Sequence, residues 1–154
     1  MSQPGFHLIN RVLAAAGVLL RESGRFFRPL GLTEVQFNVL NVLAGAPEGM
    51  SQRELSDVLV VDRSNVTTLL DRMEKAGWVR REDDPRDRRV YRVRLTAPGR
   101  RLQAKVIPLY LAAVEKVVAA IPRREIERTL ATLAALETGA KAWEGVGHDR
   151  APGR

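Results

Sequence analysis

Apolar residues recur at helical spacing from the start of the chain. Ile9, Leu13, Ala16, Leu20 and Phe27 fall near one face and predict a long helix from Phe6 to about Arg28, with Pro29 and Gly31 punctuating its end. Thr33 and Gln36 have the spacing of a capping box, a reciprocal pair that satisfies two orphan donors of a helix start. The helix it opens runs through Leu43. Val35, Phe37, Val39, Leu40, Val42 and Leu43 leave only Asn38 and Asn41 as polar breaks, which predicts a buried element. The stretch from Ala44 to Met50, with two glycines and a proline, reads as a turn. Ser51 and Glu54 form a second capping box and start a short helix with Leu55, Val58 and Leu59 on its inner side. A three-residue turn, Val60 to Asp62, leads to a helix from Arg63 to Ala76. Val66, Leu69, Leu70 and Met73 form its apolar stripe, and Ser64, Thr67, Thr68, Asp71, Arg72 and Lys75 its polar face. Gly77 then supplies a left-handed cap.

After Gly77 the period changes from 3.6 to 2. Trp78 and Val79 begin a strand, and Tyr91, Val93 and Leu95 alternate with Arg92 and Arg94, which together predict a hairpin. Its loop, Glu82 to Arg89, holds only polar groups plus Pro85 and is too long for a two-residue turn, so it projects into solvent. Thr96 caps a long helix that tolerates Pro98 in its first turn. Pro108 removes the bond to the Ala104 carbonyl and predicts a kink. Pro122 starts a last helix that runs to about Trp143. The fold class is therefore mostly α with a small β-hairpin wing. A winged helix-turn-helix lobe is expected over residues 31–96, a helical region over 1–30 and 97–144, and a flexible tail over 145–154.

Composition narrows the function. The chain has 154 residues, 45% hydrophobic and 28% charged, the balance of a globular domain with an appended helical element. Cysteine is absent, which excludes disulfides and thiolate chemistry, and His7 and His148 lie near opposite ends, so neither metal nor cofactor is expected. Twenty-one arginines and four lysines oppose 18 acids for a net charge of +7, which points to a polyanion such as nucleic acid or an anionic membrane surface. From Arg88 to Val114 there is no acid, but six arginines and Lys105. The apolar stretch Val12 to Leu20 is far shorter than the roughly twenty residues of a spanning helix. It ends in Arg21 and Glu22 without a cleavage site, so no membrane association and a cytoplasmic location are expected. No glycine-rich phosphate loop, nucleophile elbow, metal-spaced His/Glu pair or His-linked nucleophile appears, and an enzyme is not expected.

Two helices joined by a tight turn and followed by a basic hairpin suit duplex DNA. The second helix fits the major groove, and a wing reaches the adjacent minor groove. Ser64, Asn65, Thr67 and Thr68 are short donors and acceptors suited to base edges, while Arg63 and Arg72 reach phosphate or guanine. The alternative reading of that face is a solvated helix surface. Four acids, Glu82, Asp83, Asp84 and Asp87, also stand ready to neutralise part of the wing.

The segments LTEVQFNVLNVL and SQRELSDVLVVDRSNVTTLLDRMEKAGWVRREDDPRDRRVYRVRLTAPGR resemble the MarR family of bacterial winged-helix regulators, strongly from about Gly31 to Arg101. The resemblance implies a homodimer whose first and last two helices interlock, and repression until a small, often phenolic, anion binds. It places Ser64, Asn65, Thr67, Thr68 and Arg72 toward the major groove and Arg89 toward the minor groove. Arg86 and Arg88 are its wing neighbours, and Asp87 of the family's Asp-x-Arg motif orients an arginine. A self partner is also expected from the apolar surface of the terminal helices: Val106, Ile107, Leu109, Leu111, Val114, Val117, Val118, Ile121, Ile126, Leu130, Leu133 and Leu136 exceed what a small lobe covers, unless they fold back on the first helix. Family branches that sense oxidants or copper through cysteine are excluded. A small aromatic or anionic inducer remains, with no pocket residues assigned; His7 near a helix start reads as a surface residue. An architectural, non-specific DNA binder is the alternative function.

Overall fold

Both capping boxes close. Gln36 N donates to Thr33 Oγ1 at 3.2 Å and Thr33 N to Gln36 Oε1 at 2.8 Å. Glu54 N donates to Ser51 Oγ at 3.2 Å and Ser51 N to Glu54 Oε2 at 2.6 Å. The second pair holds the Glu54 carboxyl below its ordinary range, chiefly through the Ser51 backbone N–H. The computed structural model describes residues 3–59, 63–85, 87 and 89–142, with residues 63 and 64 described by their backbone alone. These form α1 (Pro4–Phe27), α2 (Glu34–Ala44), β1 (Met50–Ser51), α3 (Gln52–Leu59), α4 (Arg63–Lys75), β2 (Val79–Asp83), β3 (Tyr91–Leu95), α5 (Ala97–Val118) and α6 (Arg123–Lys141). No helix among the described residues is long and apolar enough to cross a membrane.

The chain divides into two compact units, Met1–Leu109 and Tyr110–Arg154. In the first, Phe27, Phe37, Leu40, Leu55, Val66, Leu70 and Met73 are fully buried, and Val79, Val93 and Leu95 close the core from the sheet. The rings of Phe27 and Phe37 lie 4.9 Å apart and dock the end of α1 on α2. The first half of α5 is tied to α2 by a bond from Gln103 Nε2 to Asn41 Oδ1 at 2.9 Å, so one of the two polar breaks in α2 has its partner, and Val106, expected above among the uncovered apolar residues, is buried.

Three details differ from the sequence expectation. Met50 and Ser51 belong to a third strand, paired antiparallel with β3 in the order β1-β3-β2. Two residues are too few to show alternation. Gly49, which precedes them, has φ +74°, and a Cβ there would stand 2.7 Å from Val93 O. β2 extends to Asp83, because Glu82 pairs with Arg92 and Asp83 with Tyr91; a polar outer stretch hides a strand from a hydrophobic pattern. In α3, Val58 is 54% exposed while Ser56 is 4% exposed, so the inward face is centred between Leu55 and Ser56.

In the second unit no residue of α6 is buried. Arg123 and Glu127 pair one turn apart at 3.2 Å, and the hydroxyls of Thr129, Thr132 and Thr138 bond the carbonyls four residues back. α5 runs unbroken through Pro108, one residue before the division between the units ends the first.

Candidate nucleic-acid interface

The buried stripe of Val66, Leu70 and Met73 pins α4 by one face. Asn65, Thr67, Thr68 and Arg72 are left exposed on the other. The side chains of Arg63 and Ser64, and the whole of Arg86 and Arg88, lie outside the described residues. Thr67 Oγ1 accepts a hydrogen bond from Gln52 Nε2, so one hydroxyl of the polar face also ties α3 to α4. At the other end Gly77 takes φ +74° and Trp78 N bonds Met73 O at 3.0 Å, which stops the helix and turns the chain into β2.

Sequence reasoning passed over Arg81, which joins the helix to the sheet. Arg81 shares the core-facing side of the hairpin with its cross-strand partner Val93, so its side chain reaches back over α4. Its Nη1 meets Glu74 Oε2 and its Nη2 meets Asp71 Oδ1, each at 2.6 Å, while its backbone N–H donates to Glu74 Oε1 at 2.9 Å. Burial opposes the charge, and the bonds to Asp71 and Glu74 outweigh it, holding Arg81 above the usual arginine range. The signal was present as two carboxylates three apart on α4, followed by an arginine in the next strand. The lock makes α4 and the hairpin one body.

On the opposite face of the hairpin, charges are spent internally. Arg80 and Arg94 are cross-strand partners, a repulsive arrangement that Glu82 relieves by meeting Arg80 at 2.8 Å and Arg94 at 3.1 Å. Arg94 also reaches Glu48 at 3.3 Å. Arg92 meets the buried Asp84 at 3.0 Å and donates to Glu48 O at 3.1 Å and Gly49 O at 2.8 Å, strapping the base of the wing to the turn before β1. Arg92 and Arg94 of the acid-free basic window are thus structural. The acids that answer them, Glu48, Glu54, Glu82 and Asp84, all lie outside the window.

Toward the wing tip, Asp84 N bonds Val90 O and Val90 N bonds Asp87 O, at 2.9 and 3.0 Å. Asp87 Oδ1 accepts from the backbone N–H of Arg89 at 2.9 Å, so its hold on Arg89 is through the main chain, as in an Asx turn. The Arg89 side chain is exposed. Among the described residues the guanidinium groups of Arg53, Arg72 and Arg89 make no ion pair.

The sequence model of the MarR family matches residues 30–90. The transcriptional regulator PecS of Dickeya dadantii is 30% identical over 125 residues, 79% of this chain and 74% of that protein. The chain belongs to the MarR family. A second relative of this MarR-family chain, the putative transcriptional regulatory protein for the hcr operon of Thauera aromatica, is 33% identical over 103 residues; the match covers 66% of this chain and spans 59% of that protein's length. Among solved structures, the Mycobacterium tuberculosis regulator MosR in complex with DNA superposes with a TM-score of 0.70 at 29% identity, covering 86% of this chain and 96% of that one. CouR of Rhodococcus jostii bound to p-coumaroyl-CoA superposes with a TM-score of 0.74 at 30% identity, covering 88% and 92%. The MarR match takes in α4 and the wing as far as residue 90, and stops before β3.

Proposed function

We propose that this protein is a cytoplasmic, homodimeric, sequence-specific regulator of transcription that binds duplex DNA and represses until a small aromatic or anionic ligand releases it. The observation that carries the reading is the rigid body of α4 and the hairpin, which presents Asn65, Thr67, Thr68 and Arg72 on one exposed helix face and Arg89 on the wing. In this reading Arg63, Ser64, Asn65, Thr67, Thr68 and Arg72 enter the major groove and Arg86, Arg88 and Arg89 the minor groove, with Asp87 fixing the backbone under Arg89. Residues 31–96 are the DNA-binding lobe, and residues 1–30 and 97–144 pair with a second copy. Exposed apolar side chains support the pairing: Leu13 is 64% and Leu20 60% exposed in α1, and Val117 is 63% and Leu130 61% exposed in α5 and α6. The structures of MosR with DNA and CouR with p-coumaroyl-CoA support the two kinds of partner.

The test is salt-dependent binding to the duplex upstream of the protein's own coding region, against a scrambled duplex of equal length. A specific reader holds the better sequence by at least about a thousandfold. Equal, salt-sensitive binding to the upstream duplex and to random genomic fragments would make the protein an architectural binder instead.

A further inference from the structure

A groove of about 320 Å³ opens between the start of α3 and the wing, lined by Ser51, Gln52, Arg53, Arg81, Arg89 and Tyr91 among others. It differs from the smaller cavity, about 150 Å³, at Glu48, Asp84, Arg92 and Arg94, where cations and carboxylates are already paired. Among the described residues lining the larger groove there is no carboxylate. Arg81 is engaged by Asp71 and Glu74, and the nearby Glu54 carboxylate accepts from Ser51 N. Arg53 and Arg89 bring two guanidinium groups without a carboxylate partner among the described residues to this concavity. Gln52, on the groove wall, donates to Thr67 on the exposed face of α4, so groove and polar helix face are contiguous.

Duplex geometry gives this placement a meaning. A major groove and the minor groove beside it are separated by one phosphodiester strand. A protein that puts a helix into the first and a wing into the second must straddle that strand, and the surface between helix and wing faces its phosphates. We propose that this groove seats a phosphate of the intervening strand, with Arg53 on α3 as the cation that meets it and Arg89 on the rim, where its side chain passes on into the minor groove. The inference rests on the DNA-binding reading above and adds Arg53, a residue outside both α4 and the wing. Guanidinium forks suit phosphate oxygens, and such a contact fixes register while carrying no sequence information.

Arg53→Gln and Arg53→Lys are compared with the wild type on the upstream duplex and on the scrambled one across a salt series. For Arg53→Gln the slope of log affinity against log salt becomes shallower by about one. Affinity falls about three- to tenfold, equally on both duplexes, and Arg53→Lys recovers most of the slope. An unchanged slope with Arg53→Gln overturns the proposal while leaving the DNA-binding reading intact. A loss confined to the upstream duplex overturns it too, because it marks base reading. Wild-type protein that binds neither duplex removes the DNA-binding reading and this seat together. Thermal unfolding of each variant, expected to match the wild type because Arg53 is exposed, separates a lost contact from a lost fold.

Discussion

Glu54 shows how one side chain serves several ends: it caps α3, stands 4.0 Å from Arg92 and titrates below its ordinary range. A carboxyl depressed in the folded state contributes stability that is complete above its unfolded value and disappears as pH falls through the folded one. Glu54→Gln keeps the capping geometry and removes the titration. Its urea-unfolding stability is expected to fall less steeply than that of the wild type between about pH 6 and pH 3. Parallel acid limbs would contradict the assignment. Gly99 carries a different constraint, since a Cβ there would stand 2.0 Å from Trp78 O and 2.9 Å from its carbonyl carbon. Thr96 frames this contact, donating to Gly77 O at 2.6 Å and accepting from Gly99 N at 3.1 Å. Gly99→Ala is expected to destabilise by about 1–3 kcal/mol, read as a lower urea midpoint. Thr96 as a helix cap was legible from sequence. The need for glycine three residues later was not, because it depends on a carbonyl 21 positions earlier.

The wing, as an element, owes its position to Arg92 more than to its own turn. A two-stranded ribbon is marginal by itself, and here it is braced on one face by Arg81 against α4 and on the other by Arg92 against the turn before β1. Arg92→Met removes the guanidinium from Asp84, whose side chain is only 10% exposed, and is expected to cost about 1–3 kcal/mol. Hydrogen exchange should quicken at the Asp84 amide, which bonds Val90 O, while amides in α2 keep their protection. Uniform loss across the lobe would mean that the strap supports the whole fold and not the wing. Alternation along β3 revealed the strand, and the acids of the wing stood as candidates to neutralise its arginines, but which acid meets which arginine was not legible. Cross-strand register, which sequence periodicity does not encode, puts Glu82 beside Arg94 and Arg80, and the chain reversal before β1 puts two carbonyls on Arg92.

Whole-molecule behaviour is governed by the apolar surface that the single chain leaves uncovered. Leu13, Leu20, Val117 and Leu130 are each at least 60% exposed, so a charge at Leu13 or Leu20 leaves the buried core intact. If α1 lies in the proposed self-interface, Leu13→Glu combined with Leu20→Glu is expected to lower the mass from that of a dimer to that of a monomer by light scattering, with the circular-dichroism signature of the lobe retained and DNA affinity lost. A dimeric mass for the double variant would place the interface elsewhere. Local chemistry determined much of this protein through sequence alone: caps at Thr33, Ser51 and Thr96, the stripe of α4, the stop at Gly77 and the alternation of β3 each depend on residues within a few positions of one another. The order of those elements carried the family. Tertiary structure decided the two-residue strand β1, the true inward face of α3, the lock of Arg81 on α4, and which arginines are spent inside the fold. Each of those depends on groups distant in the chain meeting in space, where register and backbone carbonyls, absent from any pattern of side chains, select the partner.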